Sequence, residues 1–165
     1  MTRIATILSI LAALHIEASP AHAEAPAHAD APLRYVSQRT EKAYLREGPT
    51  YAHRVLWVYG HRGYPFAVIA EFDVWRRVQA VDGTTGWMAA SMLTDQRTVL
   101  VTGKGRAQIF ARPEGGKVVA LADPGAIASL KSCTLNACQI KGAGAAGWIP
   151  KDRIWGVGRQ EVFSK

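Results

Sequence analysis

The chain has 165 residues, with 20 Lys and Arg against 13 Asp and Glu, so its formal net charge is +7 at pH 7. Hydrophobic residues make up 48% of the chain and charged residues 20%, a composition typical of folded rather than disordered proteins. This length allows one domain or two very small ones and excludes a large barrel enzyme.

The first 23 residues have the pattern of a secretory signal peptide. Arg3 supplies a basic start, residues 4–14 are mostly apolar, and Ala21-His22-Ala23 is a small-residue cleavage site. A membrane anchor is the alternative, but the apolar stretch is short and is followed by His15 and Glu17. We therefore expect a periplasmic or secreted protein with no stable membrane span after cleavage. A second small-residue motif at residues 27–29 leaves the exact cleavage site open.

After this segment, residues 24–34 are rich in Ala and Pro and are predicted to be a disordered lead-in. Short runs of β-branched and aromatic residues then alternate with turn dipeptides, which predicts an all-β fold. The predicted strands are Val55–Tyr59, Phe66–Phe72, Trp75–Val81, Thr98–Val101, Lys117–Leu121, Ala126–Lys131 and Cys138–Lys141. The predicted turns lie at Asp82-Gly83, Gly115-Gly116 and Asp123-Pro124-Gly125.

The chain also repeats itself. With a shift of 62 residues, Gly63 falls on Gly125 and Val78 falls on Ile140. After one deletion, Gly86-Trp87-Met88 falls on Gly147-Trp148-Ile149, and a looser match pairs the Leu45–Pro49 segment with Phe110–Glu114. Each unit spans about 60 residues and would bury little core alone, which predicts that the two units pack together.

The repeated Gly-Trp pairs carry a structural prediction. Gly86 and Gly147 should lie where a strand bends or where another backbone approaches closely. On strand geometry the tryptophan after each glycine points to one face, and Met88 or Ile149 points to the other. Single 3₁₀ turns are expected next, at residues 91–93 and 152–154.

These motifs resemble the bacterial SH3-like (SH3b) domain. The matching segments of the first unit are Leu45-Arg46-Glu47-Gly48-Pro49, Gly63-Tyr64-Pro65, Trp75-Arg76-Arg77-Val78, Asp82-Gly83, Gly86-Trp87-Met88, Met92-Leu93 and Arg97-Thr98-Val99. Those of the second unit are Cys133, Cys138, Gly147-Trp148-Ile149 and Ile154-Trp155-Gly156-Val157. The resemblance implies two tandem small SH3-like β-barrels packed together, one at residues 35–101 and one at residues 102–165. It also implies a binding role in the cell envelope and no catalytic activity.

Cys133 and Cys138 are the only cysteines. An oxidising compartment favours a disulfide between them, with the four intervening residues forming a hairpin turn. A metal site is the competing interpretation, but Cys-x4-Cys without a second pair is poor zinc spacing. We therefore expect a disulfide and no metal.

Other motifs do not predict chemistry. Residues 142–147 read G-x-G-x-x-G, but Trp148-Ile149-Pro150 follows at once, so we interpret them as a hairpin turn and not a dinucleotide site. No serine after the signal segment lies in G-x-S-x-G, both cysteines follow every histidine, and the carboxylates are scattered. His53 and His61 could meet across strands, although surface imidazoles are the preferred interpretation. The sequence predicts no enzyme and no cofactor.

One aromatic and basic stretch remains as a candidate binding surface. The candidate residues within it are Tyr51, Trp57, Tyr59, Arg62 and Tyr64. Small β-barrels bind peptides or glycans on such surfaces by stacking and by cation-assisted contacts. In the alternative interpretation, Trp57 seals the barrel and the other side chains form an ordinary rim.

The predicted ligand is peptidoglycan, through its stem peptides, or an envelope protein for which this chain is a scaffold or regulatory subunit. The basic charge fits anionic surfaces of the envelope. Nucleic acid is not expected as a partner of an exported chain.

Overall fold

The computed structural model describes residues 32–142 and 144–164, and the predicted signal peptide lies outside them. Among these residues the structure is all β, with two 3₁₀ turns at Ala90–Met92 and Lys151–Arg153 and no α-helix. No helix in the described part of the chain has the length and apolar character that crossing a membrane requires.

The strands form two sheets that divide the chain into two units. The first sheet contains β1 (Arg34–Gln38), β2 (Ala43–Arg46), β3 (Val55–Tyr59), β4 (Pro65–Phe72), β5 (Trp75–Gln79), β6 (Thr85–Ala89) and β7 (Leu93–Thr94). The second contains β8 (Thr98–Val101), β9 (Ala107–Arg112), β10 (Gly115–Ala122), β11 (Ile127–Cys133), β12 (Ala137–Gly142), β13 (Ala145–Pro150), β14 (Ile154–Trp155) and β15 (Phe163–Ser164).

The two sheets have the same topology. The first has the order β3-β2-β6-β5-β4-β1-β7, and the second has the order β10-β9-β13-β12-β11-β8-β14, with β15 beside β11. Each strand from β8 to β14 therefore occupies the place of the strand seven earlier. The repeat seen in the sequence is a repeat of structure, and the predicted pair of SH3-like barrels is confirmed.

Each unit has its own hydrophobic core. Leu45, Phe66 and Met88 are at most 1% exposed in the first core. The second core surrounds Val99 and Ile149, both fully buried. Side chains alternate along a strand, so the burial of Met88 and Ile149 turns Trp87 and Trp148 to the opposite face, as predicted.

The repeated glycines lie at close backbone approaches, also as predicted. A Cβ on Gly86 would lie 2.6 Å from Leu45 Cγ, and one on Gly147 would lie 2.6 Å from Ile109 Cγ2. The equivalent of Leu45 is therefore Ile109. The looser sequence match, which set Leu45 on Phe110, is displaced by one residue.

Two observations bear on the limits of the units, the start of β1 and the pairing of β8. The Leu33 N–H already bonds to Val68 O, and β1 begins at Arg34. Thr98–Val101, placed at the end of the first unit from the sequence, pairs with β11 and β14 of the second sheet. We propose that the division between the units lies at residues 95–97. Gly115 and Gly116, expected as a turn, instead begin β10 with positive φ angles of 99° and 96°.

Candidate binding site

Strand β3 is the exposed edge of the first sheet. It pairs with β2 alone, because it ends the strand order. Its exposed apolar side chains are Val55 (36%), Leu56 (41%), Trp57 (60%) and Val58 (46%). We call these four residues together with Tyr51 the β3 shelf.

Trp57 does not seal the barrel. It lies opposite Leu45 in the register, but Leu45 is 1% exposed and Trp57 is 60% exposed. Only Tyr59, at the end of β3, packs against the first core. Of the two interpretations from the sequence, the structure supports the open shelf for Trp57.

Tyr51 belongs to the loop that leads into β3, and this loop is fixed at several points. Arg46 Nη1 donates hydrogen bonds to Tyr51 O at 3.1 Å and to His53 O at 2.8 Å. The Tyr51 ring lies edge-on to Trp75 with centroids 4.9 Å apart, and the Arg46 guanidinium lies 5.5 Å from the Tyr51 ring. Tyr51 is nevertheless 65% exposed, so the loop presents it to solvent in a defined position.

Tyr59 and Tyr64 are placed differently from Tyr51 and Trp57. Their rings lie 5.2 Å apart, and both pack against Phe66, at 4.8 and 5.1 Å. Burial raises the pKa of Tyr59 to about 12, with a further contribution from Tyr64. The structure thus places these two tyrosines against the core of the first unit.

Arg62 is exposed, with 69% of its side chain open to solvent. Its closest ion-pair partner in the described structure is Glu41, at 4.0 Å. The five candidate residues therefore do not converge on one site. Tyr51 and Trp57 lie on the β3 shelf, Tyr59 and Tyr64 pack against the first core, and Arg62 lines a cleft between the units.

Cys133 and Cys138 form the predicted disulfide, and the two histidines have different neighbours. The His53 ring lies against Gly48, and His61 Nδ1 lies 3.1 Å from Arg62 O, so each imidazole contacts its own loop. Cys133 and Cys138 form a disulfide across the β11–β12 hairpin, with Cα atoms 4.1 Å apart. Within the described residues, no three His, Cys, Asp or Glu side chains come close enough together to hold a metal ion.

Sequence reasoning missed a second aromatic and charged region, between the units. Tyr35 of the first unit meets Trp155 of the second edge-on, with centroids 5.6 Å apart. Arg97 donates to Glu161 at 2.7 and 3.2 Å and to Gly156 O at 2.9 Å. A cleft of about 910 Å³ is lined by Tyr35, Arg97, Trp155 and Glu161, among others, and we call it the tail cleft.

Two charged side chains of the tail cleft, Arg97 and Glu161, form an ion pair with each other, at 2.7 Å. Burial alone would raise the pKa of Glu161, but hydrogen bonds from Arg97 and from the Gly158 N–H outweigh it and hold the pKa below its ordinary value. Lys151 Nζ donates to the carbonyl oxygens of Arg159 and Glu161, at 3.1 and 2.6 Å. Arg97 and Glu161 are 64 residues apart in the sequence, so no local sequence pattern predicts their ion pair.

Two solved structures are distantly similar to this chain. One is NlpC1 from Trichomonas vaginalis, with 14% identity, a TM-score of 0.34 and coverage of 73% of this chain and 45% of that one. The other is NlpC2 from Trichomonas vaginalis, with 12% identity, a TM-score of 0.34 and coverage of 74% and 47%. The chain thus matches less than half of the length of either protein.

No curated protein sequence matches this chain significantly. The family model of the bacterial SH3 domain matches it twice, at residues 39–95 and at residues 103–156. Each match falls within one of the two sheets, which agrees with the repeated topology. This chain belongs to the bacterial SH3 domain family and carries two copies of the domain.

Proposed function

We propose that this protein is a non-catalytic binding module of the bacterial cell envelope, and that its β3 shelf binds the stem peptides of peptidoglycan. Membership of a family associated with the cell wall supports the envelope role. The signal pattern of residues 1–23 and the Cys133–Cys138 disulfide support a periplasmic or secreted location.

The observation that carries the proposal is the exposure of Trp57. A side chain of this size gains most by burial, and large exposed apolar surfaces commonly mark interaction sites. Tyr51, also exposed, supplies a second ring at the start of the shelf. Stacking on these rings needs no particular side chain in the ligand, so it suits short peptides.

Charge would add orientation to this contact. Arg46 and Arg54 lie next to the shelf in sequence, and the chain carries a net charge of +7. Stem peptides carry free carboxylates, which arginine binds in planar, charge-assisted hydrogen bonds. Such contacts weaken as salt screens them, so binding should depend on ionic strength.

The test is co-sedimentation of the protein with purified cell-wall sacculi at low and high salt. Trp57→Ala should reduce retention at least tenfold. Phe72→Ala is the matched control, because Phe72 is also an aromatic residue with 60% exposure and lies outside the shelf. Equal retention of the two variants, or no retention of the wild type, would contradict the proposal.

The free edge of β3 supports a second candidate function, binding of an envelope protein. An edge strand offers unpaired backbone groups, and an extended segment of a partner can add to the sheet there. Val58→Lys would oppose such pairing and leave the Trp57 ring in place. Cross-linking of the wild type, but not of this variant, to a protein partner without retention on sacculi would favour this function.

A further inference from the structure

The two units are joined by a buried hydroxyl contact. Ser37 Oγ lies 2.6 Å from Thr98 Oγ1, and Thr98 Oγ1 donates to Gly63 O at 2.6 Å. A hydroxyl has one proton to donate, and that of Thr98 goes to Gly63 O, so Ser37 is the donor to Thr98. Ser37 is 1% and Thr98 9% exposed. The position of one unit against the other is therefore set by specific contacts.

A cleft of about 540 Å³ lies beside this contact, and both units line it. We call it the seam cleft. Its charged lining residues are Arg39 and Arg62 from the first unit and Lys141 from the second, and its neutral polar residues include Gln96 and Ser129. No carboxylate is among the described residues that line it.

The three cations are not neutralised by the fold. Within residues 32–142 and 144–164, Arg39 and Lys141 make no ion pair, and Arg62 meets only Glu41, at the 4.0 Å limit, with both side chains largely exposed. An exposed pair at this distance contributes little. The tail cleft differs here, because Glu161 lies against Arg97.

We propose that the seam cleft binds a multiply charged oxyanion, a ligand that carries two or more carboxylate or phosphate groups. Cations from both units surround the cleft, so one such ligand would bridge them. The volume falls within the range of small-molecule sites. Guanidinium and ammonium groups bind carboxylates and phosphates by charge-assisted hydrogen bonds. This site is separate from the β3 shelf and does not depend on the function proposed for it.

The test uses calorimetric titration of the protein purified after export, with the peptide Glu-Glu-Glu and with inorganic pyrophosphate as probes. Arg39→Gln and Lys141→Gln should each weaken binding about tenfold, the loss expected for one charge-assisted contact. Neither side chain makes a hydrogen bond in the described structure, so both variants should fold. The matched controls are Arg77→Gln and Lys131→Gln, which remove an exposed charge outside the cleft.

Each result has a defined meaning. Binding of the peptide alone assigns the site to carboxylates, and binding of pyrophosphate alone assigns it to phosphates. Binding of the peptide or of pyrophosphate should be unchanged in Trp57→Ala, which distinguishes this site from the β3 shelf. Binding of neither probe at low salt would overturn the proposal. An equal loss of affinity in the control variants would also overturn it, because binding would then depend only on the net positive charge of the protein.

Discussion

Substitution of the repeated glycine of the second unit, Gly147→Ala, tests whether its strand needs a bare backbone. The added Cβ would lie 2.6 Å from Ile109 Cγ2 and 2.7 Å from Phe110 O. Two carbon atoms attract each other at separations of about 3.5 Å or more, so the neighbouring atoms must move by nearly an ångström. Phe110 O is a backbone atom of β9, beside β13 in the sheet, and cannot turn away as a flexible side chain could.

The expected loss follows from two opposing effects. Overpacking of this kind costs about 1–3 kcal/mol. Alanine also lowers the conformational entropy of the unfolded chain, which stabilises the folded protein by about 0.4–1 kcal/mol. The net loss should be about 1–2 kcal/mol, measured as the free energy of unfolding in urea.

The chain offers matched comparisons for this measurement. Gly86→Ala in the first unit should lose a similar amount, because its Cβ would lie 2.6 Å from Leu45 Cγ and 2.9 Å from Arg46 O. Gly60→Ala is the control, since nothing lies within 4 Å of its added Cβ and its φ is not positive. If Gly147→Ala is as stable as the wild type, or if Gly60→Ala loses as much, the close-approach reasoning is refuted.

The remaining predictions concern the junction of the units, the disulfide and acid stability. Thr98→Val should lower the free energy of unfolding by about 1–3 kcal/mol, because the buried Ser37 hydroxyl and the partly buried Gly63 carbonyl lose their partner; Thr98→Ser, which keeps the hydroxyl, should retain most of the wild-type stability. Reduction of Cys133–Cys138 should cost about 2 kcal/mol by the loop-entropy model, with thermal melting of the second unit as the readout; two reactive thiols in the denatured, unreduced protein would contradict the bridge. Because folding lowers the pKa of Glu161, its carboxylate contributes to the free energy of unfolding at pH values above the unfolded-state pKa, near 4.5. This contribution is lost as the pH falls through the lower, folded-state pKa. Glu161→Gln should therefore be less sensitive to acid than the wild type in urea unfolding between pH 6 and about pH 3; equal acid sensitivity would contradict this role.

Local patterns were enough to predict the strands and the repeat. Val55–Tyr59 and Thr98–Val101 are strands with the predicted limits, because β-branched and aromatic runs between turn residues favour extended backbone. The Gly-Trp pairs and the Cys133–Cys138 bridge were also predictable, since each depends on neighbours within one hairpin or on a repeated motif.

The tertiary structure alone decided which aromatic side chains are open to a ligand. Trp57 and Tyr59 are two residues apart on β3 and therefore lie on the same face, yet Trp57 is 60% exposed and Tyr59 packs against Phe66. The difference arises from what lies across that face, and those neighbours come from other strands. The contact between the units has the same origin: Ser37 and Thr98 are 61 residues apart, and Thr98, within the limits expected for the first unit, pairs with β11 of the second sheet. Periodicity reports which way a side chain points along its own strand, whereas burial, charge pairing and clefts depend on contacts between distant segments, which only the folded chain brings together.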